Sequence, residues 1–208
     1  LKACKSSDLA PRRDARVPVA ELKIVIAGGF GVGKTTLVAT LSEIPPLTTE
    51  EVLTSAGEGV DDLHGVEGKI TTTVAMDFGR ITFPSPNRTM ILFLFGTPGQ
   101  ERFWFTWDEL SRGAVGAVVL ADTRRLEDSF AAVGYFEEQA LPFLVAVNQF
   151  DGADRYEPDE VREALELGPD VPVIPCDVRQ RASAKNVLIT LVTHSLNRRR
   201  PLMTGAPA

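Results

Sequence analysis

The chain lacks long apolar runs. No stretch of 18 or more apolar residues occurs in its 208 positions, which argues against a membrane-crossing helix. Nothing at the start has the charged-then-apolar pattern of a secretory signal, and no lipidation signal of the Met-Gly or C-terminal Cys-box type is present. Cysteine is scarce: Cys4 and Cys176 are too few for a disulfide scaffold and fit a reducing compartment. Positive charge is in deficit, with 22 Lys and Arg against 28 Asp and Glu, a formal net charge of −6. A basic nucleic-acid-binding face is therefore not the default. No internal repeat is visible. These absences point to a cytoplasmic protein whose membrane contact is at most indirect. Because the first residue is Leu1, the natural start is expected to be missing or altered.

What is present is ordinary globular material, 44% apolar and 24% charged, in a length that suits one domain. Residues 1–20, with Lys2, Lys5, Arg12, Arg13 and Arg16 and two prolines, read as a flexible basic tail; residues 21–200 read as the domain, and 201–208 as a second flexible tail. Leu22–Ala27 is a short apolar run that ends in glycines, the pattern of a buried parallel strand. Lys34 to Glu43 reads as a helix stopped by Pro45 and Pro46. Residues 44–70, rich in glycine and proline and weakly periodic, read as one long functional loop. Val74–Phe83 and Arg88–Phe95 read as a hairpin about the turn PSPN. Strands at Ala114–Ala121, Pro142–Val147 and Val171–Cys176 then alternate with helices at Glu101–Arg112, Leu126–Gln139, Asp159–Leu167 and Ala182–Arg198. Six strands and five helices in this order predict an α/β domain with a mostly parallel sheet, one antiparallel strand, and helices on both faces.

The strongest local signal is GGFGVGKTT at 28–36, in which Gly28, Gly33, Lys34 and Thr35 satisfy the spacing G-x-x-x-x-G-K-[ST] between a strand and a helix. Loop amides of Gly31, Val32, Gly33 and Thr36 can cradle phosphates at the helix N-terminus. Lys34 would reach the terminal phosphates, and Thr35 would offer a hydroxyl to Mg²⁺. This establishes a P-loop site for a nucleoside triphosphate and leaves kinase, ATPase and GTPase open.

Farther along stand FGTPGQERF (95–103) and NQFD (148–151). With these, the sequence resembles the Ras-like small GTPases. More closely, it resembles the small GTPase of actinobacterial conservons, operons that also encode a histidine-kinase-like sensor and a roadblock-fold protein. TTTVAMDFGRI, LFLFGTPGQERFWFTWDEL, GAVGAVVLADTRR and VNQFDG carry the resemblance, which spans residues 21–199. It implies a Ras-like GTPase fold that binds GTP or GDP with Mg²⁺. Thr73 matches the threonine that closes on Mg²⁺ and the γ-phosphate. Gly99 and Gln100 match the glycine that meets that phosphate and the glutamine that orients the attacking water. Asn148, Gln149 and Asp151 match the guanine-recognition motif; a carboxylate suits guanine's N1–H and exocyclic amine, donors that adenine does not present there. Asp177, Val178 and Arg179 match the last base-contacting loop, with the Val178 amide expected to meet guanine O6.

The pattern breaks in three places. Gly96 stands where the family has an Asp on the magnesium side, and Asp77, four residues into the neighbouring strand, does not offer itself as a substitute. Phe30 occupies a phosphate-loop position that is glycine in Ras, and Gln149 replaces a lysine. Slow hydrolysis is expected, helped by a partner, with Arg80, Arg102, Arg124 and Arg125 as unassigned basic residues. The alternative is a binding module, a pseudo-GTPase that holds guanine nucleotide and scaffolds a sensor complex; an ATP-dependent enzyme is a weaker third reading. Phe103, Trp104, Phe105 and Trp107 crowd one short helix, so Trp104 and Trp107 are expected to be exposed anchors for a partner. The resemblance names that partner as a roadblock-type regulator, with the sensor beyond it.

Overall fold

The computed structural model describes residues 17–45, 47–54, 71–98 and 105–199. Strand β1 (Val19–Gly28) leads through the phosphate loop to α1 (Lys34–Leu41), then come β2 (Leu47–Thr54), β3 (Thr71–Phe83) and β4 (Thr89–Gly96). Helix α2 (Phe105–Ser111), β5 (Ala114–Ala121), a 3₁₀ turn (Thr123–Ser129) and α3 (Phe130–Glu138) follow. The chain closes with β6 (Phe143–Asn148), α4 (Pro158–Ala164), β7 (Val173–Cys176) and α5 (Arg181–Arg199).

All six expected strands are present, and the sheet carries a seventh. Its order is β2-β3-β4-β1-β5-β6-β7. Strands β4, β1, β5, β6 and β7 run parallel, β3 pairs antiparallel with β4, and β2 pairs antiparallel with β3 at the edge. The extra strand corrects the expectation of an unbroken loop over 44–70. LTTEEVLT has few apolar residues to announce a strand, and its order comes from main-chain pairing with β3, from Leu47 opposite Phe78 to Thr54 opposite Thr71.

The two faces of β1 show how the sequence builds two cores from one strand. Ile24 and Ile26 point to one side, where they join Leu37 and Leu41 of α1 and Leu188 and Leu191 of α5. Val25 and Ala27 point to the other, with Trp107, Phe136, Val145 and Val161. This is the period-2 alternation of a strand buried on both faces. Replacing a fully buried leucine such as Leu188 by alanine should cost about 2–5 kcal/mol.

Trp107 belongs to that second core, which corrects its assignment as a partner anchor. It is 3% exposed, lies parallel to Phe136 at 6.0 Å and meets Tyr135 edge-on at 5.2 Å. The helix turns this ring inward because α2 must bury one face against β5 and α3. Trp104 lies outside the described residues, as do Gly99, Gln100 and Arg102. Among the described residues, no helix is long and apolar enough to cross a membrane.

Candidate nucleotide site

The site forms where β1, β6 and β7 end on one edge of the parallel sheet, the side on which open α/β sheets bind ligands. At Gly28 φ is +136°, and a Cβ would stand 2.4 Å from the carbonyl oxygen of Leu120. At Gly33 φ is +107°, and a Cβ would stand 2.8 Å from Nδ2 of Asn148. Any side chain at either position would be strained and would also collide, so these two glycines let the loop fold back over the strand ends.

Lys34 opens α1 beneath this loop. Its Nζ donates to the carbonyl oxygens of Gly28 at 2.9 Å and Gly29 at 2.7 Å, and the side chain is buried. Burial pushes its pKa down to about 8, opposed by the nearby carboxylate of Asp77. A cation held this way, over a loop of amides and half-stripped of water, is arranged to meet an incoming anion. Phe30 points outward at 67% exposed, clear of the loop interior.

Thr35 and Thr36 are exposed in the first turn of α1. The Thr35 hydroxyl donates to Oδ2 of Asp77 at 2.6 Å. Pairing places Asp77 directly opposite Gly96, so the register of β3 sets this carboxylate beside Thr35 although it lies four residues into its strand. The hairpin register was the signal that could have found it. Arg125 is the second residue whose place the sequence did not reveal, since its Nη2 donates to the carbonyl of Phe30 at 2.7 Å and so braces the phosphate loop. Arg124 instead turns to Asp122 and lies over the ring of Phe150.

Asn148 joins the two halves of the site. Its Nδ2 donates to the Val32 carbonyl at 3.0 Å, and its Oδ1 accepts from the Val178 amide at 3.3 Å. The phosphate loop and the loop after β7 are thereby tied through one buried side chain. The amide of Gln149 donates to the Cys176 carbonyl at 2.8 Å, continuing the β6–β7 contact. Beyond it, Arg179 reaches Oδ2 of Asp151 through Nη1 at 2.8 Å and Oδ1 through Nη2 at 3.1 Å, and also contacts Asp177. The guanidinium holds both carboxyls below the usual carboxylate range.

The structure thus brings together the phosphate loop, Lys34, Thr35, Asn148, Gln149, Asp151 and the segment Asp177, Val178, Arg179. It does not bring Thr73 to Thr35: Thr73 sits in β3 opposite Val52, four residues beyond Asp77, a rise of about 13 Å along an extended strand.

These features, a phosphate loop between β1 and α1 in a sheet whose strand β3 alone runs against the rest, define a P-loop nucleotide-binding protein with a Ras-like fold. Residues 26–198 match the family described as conserved hypothetical ATP binding protein, and the chain belongs to that family. It is also similar to human Ras-related protein Rab-7b, with 25% identity over 188 residues that cover 86% of this chain and 84% of that protein. An uncharacterized protein of Methanocaldococcus jannaschii, MJ1339, is 29% identical over 136 residues, covering 64% of this chain and 73% of its own length. GTPase Der of Rhodopirellula baltica is 28% identical over 158 residues, which cover 74% of this chain and 32% of that protein.

Proposed function

We propose that the protein is a guanine-nucleotide switch that binds GTP and GDP with Mg²⁺ and hydrolyses GTP slowly. The observation that carries the reading is Asn148. Its side chain fastens the phosphate loop to the Val178 segment, which supports reading the neighbouring Asp151 and Asp177 as a base-recognition rim. Asp151 offers acceptors to guanine's N1–H and amine, whereas adenine would leave that carboxylate facing an acceptor. The similarity to Rab-7b and GTPase Der supports the same base; the description of the matched family, by contrast, names ATP.

In this reading, Lys34 and the amides of residues 31–36 hold the phosphates, Thr35 offers its hydroxyl to the metal, and Gln100 orients the water while Gly99 donates to the γ-phosphate. Mg²⁺, when bound, supplies positive charge against the phosphate oxygens. Thr73 would join only after the β2–β3 ladder yields, and that order-to-order change would report the nucleotide state to a partner. The partner proposed is a roadblock-type protein that reads the segment containing Trp104, within a sensor complex of the conservon kind.

The test is phosphate release from the GTP-loaded chain, alone and with that partner. Slow release that Gln100→Leu abolishes supports the switch. Tight GTP binding with no release under either condition replaces it with a scaffolding pseudo-GTPase.

A further inference from the structure

We infer that Asp77, carried on β3, is the carboxylate of the magnesium side of the site, taking the place that Gly96 of β4 leaves without a side chain. The inference rests on the nucleotide reading above and deepens it.

Three observations carry it. Asp77 is 8% exposed, a carboxylate withdrawn from water at the mouth of a phosphate loop. Its Oδ2 accepts from the Thr35 hydroxyl at 2.6 Å, while Thr35 itself is exposed. A hydroxyl that donates its proton inward keeps its lone pairs for a hard cation on the outer side, the donor type that Mg²⁺ takes. Finally, Asp77 pairs with Gly96, and a Cβ at position 96 would lie 3.1 Å from both Cβ and Oδ2 of Asp77. The two positions crowd one space, so a side chain on β4 would press on Asp77, and a glycine there leaves the carboxylate of β3 its room. The glycine at 96 is the room that Asp77 occupies.

Asp77 is therefore a positioning residue: it orients Thr35 and adds negative charge beside the cation without being one of its direct ligands. Loss of such an outer carboxylate lowers metal affinity by about 10–100-fold.

The experiment follows dissociation of a fluorescent GDP from the full chain while Mg²⁺ is titrated, and reads the Mg²⁺ concentration at which release is half-slowed. Asp77→Asn keeps an acceptor for Thr35 and removes the charge. It should raise that concentration about 10–100-fold above that of the wild type. The double variant Asp77→Gly with Gly96→Asp moves the carboxylate to β4 and should return the midpoint to within about threefold of wild type; it carries the test if Asp77→Asn does not fold. A midpoint for Asp77→Asn within about twofold of wild type would overturn the inference, as would a double variant that binds GDP but stays as weak as Asp77→Asn. Wild-type GDP binding that is indifferent to Mg²⁺ overturns this inference alone. Failure of the wild type to bind either guanine nucleotide overturns the nucleotide reading and this inference with it.

Discussion

Arg179 grips Asp151 with both terminal nitrogens, at 2.8 and 3.1 Å, presenting to that carboxylate the same kind of paired N–H edge that guanine would present. The two cannot use the carboxylate together. On the guanine reading, the base would have to displace the arginine, and Asp177, which also accepts from Arg179, offers it a place to stay.

Removing the arginine should ease entry of the base. Both partners are exposed, so the pair is a weak latch, and Arg179→Ala should speed GDP association by no more than about fivefold. The gain should shrink as salt is raised, because screening already loosens the pair in the wild type. Stopped-flow association at low and high ionic strength checks this; slower binding by the variant would show that Arg179 holds the nucleotide and does not compete with it.

Lys34 gives a pH signature with a definite sign. Its pKa is about 8 in the folded chain against 10.5 for the ordinary group. Below pH 8 both states hold the proton and the cost of burying the charge is fully present. Between those values the unfolded chain holds a proton that the folded chain has released, so stability rises with pH, by on the order of 3 kcal/mol at most. Chemical unfolding from pH 7.5 to 10 should show nucleotide-free wild type gaining on Lys34→Met. Bound polyphosphate restores the proton, so nucleotide binding near pH 8 should take up protons, measurable as a buffer-dependent heat.

Asn148→Ala should damage fold and site together. It strands the Val32 carbonyl and the Val178 amide, each worth about 1–3 kcal/mol when buried without a partner. Denaturant midpoint and nucleotide affinity should both fall. A variant with normal affinity would show that the two loops hold their places without the tie.

Trp107→Ala should behave as a core deletion, with a loss of about 3–5 kcal/mol in unfolding free energy, since the ring is sealed against Phe136 and Tyr135. A surface aromatic would cost well under 1 kcal/mol.

The phosphate loop, the hairpin and the order of strands and helices were legible in the sequence because each rests on local chemistry: glycine spacing, apolar runs, proline stops. Three features were not. Strand β2 is polar, and its conformation is imposed by β3 across the ladder, which no local pattern encodes. Trp107 sits among four clustered rings, and which of them turns inward depends on where α3 places Tyr135 and Phe136. The place of Asp77 beside Thr35 was not legible because position along the neighbouring strand says nothing of what it faces, whereas the hairpin register sets it opposite Gly96. Local motifs were readable; residues that act through a strand neighbour were not.

The central claim is that the rim formed by Asn148, Asp151 and Asp177 selects guanine. The most direct measurement is competition of GDP against ADP for the nucleotide-free protein at saturating Mg²⁺, with Asp151→Ala alongside. The account predicts GDP tighter than ADP by a factor of about 10² or more, with most of that preference lost in the variant. Equal affinity for GDP and ADP in the wild type, or a preference for ADP, would contradict it.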